Sequence, residues 1–189
     1  MTLGEQTTED RSVRTSPPAD PAEVYHFSED GTLRRFAPHV PPSNPSHPPA
    51  VWAIDEEHAP LYWFPRDVPR ISVWAYTPEQ QRILTDRFGT EAHRICAAEQ
   101  HHLDEIRGAR IYRYAFDARR FRPWDQADGQ YVTSEVVHPV RVEPIDDLIG
   151  AHCAAGVEIR LTPRLGSLMD AILASGLPFS FVRIRDAQR

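Results

Sequence analysis

Six of the eighteen prolines fall between positions 38 and 49, and no other feature limits the possible folds as sharply. Proline has no amide hydrogen to give to a ladder and holds φ fixed, so HVPPSNPSHPP is neither helix nor interior strand. It reads as a stiff surface loop. The loop leads into a plausible strand at 51–54.

That strand opens the densest run in the chain, VWAIDEEHAPLYWFPRD at 51–67. Trp52, Tyr62, Trp63 and Phe64 crowd around Asp55, Glu56, Glu57, His58, Arg66 and Asp67. Large aromatics supply an apolar wall, and the charged groups set among them supply the convergent polar contacts of a ligand cleft. Each residue also has a plainer use. The aromatics serve as core, Asp55 as a helix cap, and Arg66 as an ion-pair partner of Asp67 or a bidentate phosphate ligand.

A length of 189 residues with 41% hydrophobic content suits one domain, expected over 23–189. The leading 1–22 segment, rich in Thr, Glu, Asp, Arg and Pro, has too few large apolar groups to offset its ordering entropy and reads as a disordered tail. A formal net charge of -6 argues against nucleic acid as a partner. All the basic residues are arginine, which removes any lysine of a phosphate loop, Schiff base or nucleophile. Cys96 and Cys153 are expected as reduced, buried thiols in a strand and a helix. No apolar stretch reaches membrane-spanning length and the polar start lacks a signal-peptide core, so a cytoplasmic location with no membrane partner is expected.

Local patterns predict strands at 24–27, 51–54, 70–75, 93–98, 109–116, 130–133, 136–142, 157–161 and 179–184. Helices are predicted from the cap Asp55 to Pro65, from Thr77 with Pro78 at its first position, and over 99–107, 146–155 and 164–174. Several strands follow one another without an intervening helix, which suits an α+β domain better than a βαβ repeat.

Four segments, YHFSED, VWAIDEEHAPLYWFPRD, QYVTSEVVHPVRVEPIDD and FSFVRIRDA, resemble in order an uncharacterised family of small bacterial proteins. More remotely, the chain resembles the ADP-ribosyltransferase superfamily. That resemblance implies a split mixed sheet with flanking short helices and a cleft for NAD or a related nucleotide. By it His26, next to Ser28, holds the adenosine ribose, and Asp55 follows the second strand. Tyr62 and Trp63 flank the nicotinamide, with Trp52 and Arg66 lining the same cleft. Gln130 occupies the position where a transferase carries glutamate, and Glu135 is a candidate substitute, with Asp55, Glu57 or binding without turnover as the alternatives. A carboxylate there would stabilise the oxocarbenium-like charge of glycosidic cleavage, which glutamine cannot do. The acceptor substrate is left open.

Two other classes compete. Nine histidines suggest a metal-dependent enzyme using His, Asp and Glu ligands, but HExxH is missing. Adjacent His101 and His102 are expected on different helix faces, and only folding could gather His26, His58 and His138. No metal is therefore expected. A non-catalytic binding module for a small molecule or a protein is the third class. GxSxG and glycine-rich phosphate loops do not occur.

Overall fold

A computed structural model describes residues 21–40 and 45–188; most of the expected tail lies outside them. The chain is α+β, built on two sheets. The first sheet uses β1 (Glu23–Ser28), β2 (Val51–Ile54), β5 (Ile111–Asp117), β6 (Arg122–Pro123), β7 (Gln130–Thr133) and β8 (Arg141–Ile145). Its order is β6-β7-β2-β1-β5-β8, antiparallel throughout. The second holds β3 (Arg70–Trp74), β4 (Arg94–Glu99), β9 (Glu158–Thr162) and β10 (Phe179–Val182) in the order β10-β3-β4-β9. There β4 and β9 run parallel.

Four α-helices complete the fold: α1 (Pro78–Phe88), α2 (Leu103–Gly108), α3 (Leu148–Ala154) and α4 (Gly166–Leu173). The start of α1 follows from sequence. Thr77 accepts from the Gln80 amide while Gln80 Oε1 accepts from the Thr77 amide, and Pro78 occupies a position whose N–H would have no partner. Gly89 ends it in a left-handed conformation.

The strands alternate inward and outward, so each sheet has two apolar faces. Ile54 and Phe27 of the first sheet meet Cys96 and Ala98 of the second in a core closed by Ile106 of α2 and Leu148 of α3. On the outer face of the second sheet, Ile71, Val73 and Ile95 pack on Leu84 of α1 and Ile172 of α4. The outer face of the first sheet, with Val24, Tyr114 and Phe116, is covered by Leu33 and Phe36.

Several expectations change. The helix expected from Asp55 to Pro65 is a turn and one 3-10 turn at Ala59–Tyr62: Asp55 Oδ1 accepts from the His58 amide as a cap would, but Pro60 has no N–H to continue a ladder. The strand expected over 136–142 is a bridge from Val137 to Phe36 followed by β8, displaced past Pro139. Cys96 is buried as expected, but Cys153 lies on the solvent side of α3.

Buried Arg70 fixes the segment that carries the site. Its guanidinium donates to the carbonyls of Leu61 (2.9 Å), Val68 (3.0 Å), Arg66 (3.3 Å) and Pro65 (3.4 Å). Burial lowers its pKa to about 10, yet its Nε and one terminal nitrogen together donate to four carbonyls of the segment.

Candidate functional site

A cleft of about 300 Å³ opens at one end of the gap between the sheets. Ile54 and Gln130 line it from the first sheet, Trp74 and Arg94 from the second, with His58, residues 125–128 and residues 177–180 around its rim. Both sheets present these groups inward for a reason of register. Trp74 pairs with Arg94 and Ser72 with Cys96, so all four lie on the face that carries the shared core.

One wall carries a proton chain. Asp55 Oδ1 lies 2.7 Å from His58 Nδ1, His58 Nε2 lies 2.6 Å from the Tyr76 hydroxyl, and that hydroxyl donates to Asp128 Oδ2 at 3.2 Å. Carboxylates only accept, so the contact with Asp55 puts a proton on Nδ1. A hydrogen on Nε2 as well would leave the tyrosine free to donate to Asp128; without it, the tyrosine proton turns to Nε2. The chain can gain or release one proton with no heavy-atom movement, as a general acid or base requires. Burial pushes the Tyr76 hydroxyl far above the usual phenol range, an effect that Asp128 and Glu57 add to.

Gly129 lets this chain close. Its φ is +70°, and a Cβ there would lie 2.2 Å from His58 Nδ1. Its carbonyl accepts from the Asp55 amide at 2.9 Å, tying the loop after residue 124 to the end of β2.

The other wall carries an uncompensated cation. Arg94 is 6% exposed and has no ion pair among the described residues. Its guanidinium lies 4.5 Å over the Trp74 ring and donates to Ser72 Oγ at 3.3 Å. Burial pulls its pKa down, partly countered by the field of nearby groups that include Glu57 and Asp55. The buried Trp74 indole N–H makes no well-formed hydrogen bond, though it is close enough to the Tyr76 oxygen to favour its ionised form. A guanidinium without a carboxylate on a cleft wall has donors to spare for an incoming anion.

A model of a family of unknown function matches residues 25–187. The chain belongs to that family, DUF6886. No curated protein and no solved structure matches it.

The residues expected to form a site in this DUF6886 chain divide between several places. Gln130 lines the cleft, Asp55 stands behind it on His58, and the Tyr62 hydroxyl accepts from Gln130 Nε2 at 2.8 Å. Tyr62 also stacks on Phe27. Trp63 is 7% exposed in the core, edge-on to His152. Trp52 sits half-buried against Trp124, with ring centres 4.5 Å apart. His26 shares the outer face of the first sheet with Val24, edge-on to Phe36, and its Nδ1 donates to the Trp52 carbonyl at 3.0 Å. Ser28 accepts from the Asp30 amide in the turn after β1. Arg66 is exposed, with its amide on Glu29, and Asp67 pairs with Arg183, not with Arg66. Glu135 is exposed and holds Arg120 at 2.6 Å. His26, His58 and His138 are not gathered: His138 Nδ1 bonds the Arg34 carbonyl.

Tyr76, Arg94, Asp128 and Gly129 escape sequence reasoning. Asp-Gly at 128–129 does signal a tight turn, and Asp55 three residues before His58 signals a local bond. Nothing local distinguishes Arg94 from the other arginines.

Proposed function

We propose that this DUF6886 member binds a small anionic molecule between its sheets, with Arg94 holding the anion opposite the hydrogen-bonded chain that runs from Asp55 through His58 and Tyr76 to Asp128 at the cleft. The observation that carries the reading is Arg94, a buried cation without a counter-ion facing a proton chain across a cleft. Burying a charge without a partner is costly, and an anionic ligand removes that cost. The cleft volume is at the low end for small-molecule sites, which favours a compact phosphate or carboxylate compound or a mononucleotide over extended NAD.

The nucleotide class comes first among candidates because β1, β2 and β7, the strands of the ADP-ribosyltransferase resemblance, are neighbours and Tyr62 meets Gln130. Binding is favoured over ADP-ribosyl transfer. Gln130 has no charge to stabilise an oxocarbenium ion, Glu135 is engaged by Arg120, and His26 is directed at Phe36.

Calorimetric titration of the full chain with phosphate, AMP and NAD tests this. At least one anion should bind, and Arg94→Met should weaken it by about tenfold to a hundredfold, the loss of one charge-assisted hydrogen-bonded contact of about 1.5–3 kcal/mol. No heat with any of them, or equal affinity in Arg94→Met, refutes the reading.

A further inference from the structure

At the opposite end of β4 from Arg94, roughly 17 Å along the strand, lies a second group that the cleft does not use. Glu99 is 0% exposed, although it carries a carboxylate. Its hydrogen-bond donor is a single backbone amide, Gln188 N, at 3.1 Å from each oxygen, and it makes no ion pair among the described residues. A dry carboxylate with one donor calls for a positive partner.

Two imidazoles stand beside it. After β4 the chain enters a 3-10 turn at Gln100–His102. His101 and His102, expected on different faces, have ring centres 4.0 Å apart. One ligand atom from each of Glu99, His101 and His102 lies within 4.8 Å of the others. His102 Nδ1 is 2.8 Å from Glu105 Oε2. The carboxylate accepts, so Nδ1 carries the hydrogen and Nε2 keeps its electron pair outward. A carboxylate on the far nitrogen is what orients metal-binding histidines.

We propose that Glu99, His101 and His102 form a binding site for a divalent transition-metal ion, with Glu105 as the carboxylate that positions His102. Two imidazoles and one carboxylate suit zinc or a neighbouring first-row ion, not magnesium or calcium, which take oxygen ligands. Three protein ligands leave a coordination position for water. The ion would neutralise Glu99, which the protein otherwise holds as an unpaired buried acid.

The test uses the full chain without a histidine tag, stripped with chelator and titrated with zinc chloride by calorimetry, with metal per chain measured after dialysis. One zinc per chain is expected. His101→Ala and His102→Ala should each weaken binding at least tenfold, and Glu105→Gln about tenfold to a hundredfold. His138→Ala, remote from the group, should leave affinity unchanged. Glu99→Gln is informative only if circular dichroism shows a native fold, so the histidine variants decide. Absence of stoichiometric zinc, or wild-type affinity in the His101→Ala/His102→Ala double variant, overturns the proposal.

Discussion

Gly129 and Gly89 form a matched pair that isolates the closure of the loop onto His58. Both are left-handed, at φ +70° and +66°, so alanine pays a similar backbone cost of about 1–2 kcal/mol at either place. Their surroundings differ. A Cβ on Gly89 meets nothing within 4 Å, whereas one on Gly129 would lie 2.2 Å from His58 Nδ1 and 2.5 Å from its Cγ. That ring cannot yield freely, because Asp55 and Tyr76 hold its two nitrogens at 2.7 and 2.6 Å. Moving it sacrifices two hydrogen bonds of about 0.5–1.5 kcal/mol each. Gly129→Ala should therefore cost about 2–5 kcal/mol and Gly89→Ala about 1–2 kcal/mol, read from urea unfolding midpoints at constant m. Anion binding should fall in the first variant and persist in the second. Equal destabilisation by the two substitutions would show that the loop does not press on His58, and the proton chain would lose its geometric support.

Replacing Arg70 by methionine keeps most of the aliphatic packing but leaves buried carbonyls dry. Of the four, those of Leu61 and Val68 have the shortest bonds, and at about 1–3 kcal/mol for each of these two unsatisfied groups the loss should be about 2–6 kcal/mol in denaturant unfolding. A loss below about 1 kcal/mol would mean that the arginine contributes packing alone. The pH dependence follows from His26 and His152, whose pKa values are lowered chiefly by burial, with their backbone hydrogen bonds acting the other way. Below the usual histidine value the unfolded chain binds these protons and the folded one does not, so stability should fall as pH drops from about 7 to 5 and level off below the folded values. Denaturation at both pH values measures it, and NMR titration of either ring at or above the ordinary histidine value would contradict it.

The local elements are legible in the sequence wherever one short-range interaction decides them. The capping box at Thr77 and the N1 proline at Pro78 need no tertiary partner. Prolines also bound what cannot be regular, as at 38–49. Where prediction missed, a proline broke the pattern: Asp55 caps only a turn because Pro60 has no N–H to continue it, and β8 begins beyond Pro139.

By itself the sequence determined that this is an α+β chain with a polar, aromatic segment at 51–67 and without lysine chemistry. Tertiary structure alone decided which of those residues meet. Trp63, just after the 3-10 turn, packed into the core, and His26 turned onto the outer face because strand alternation assigns a side whatever the residue's chemistry. Arg94 came from another sheet to face His58, and Glu99 was sealed at the other end of the same strand. An isolated arginine or glutamate in sequence carries no record of its solvent exposure. Burial without a counter-charge, which gives both residues their meaning here, is a property of packing.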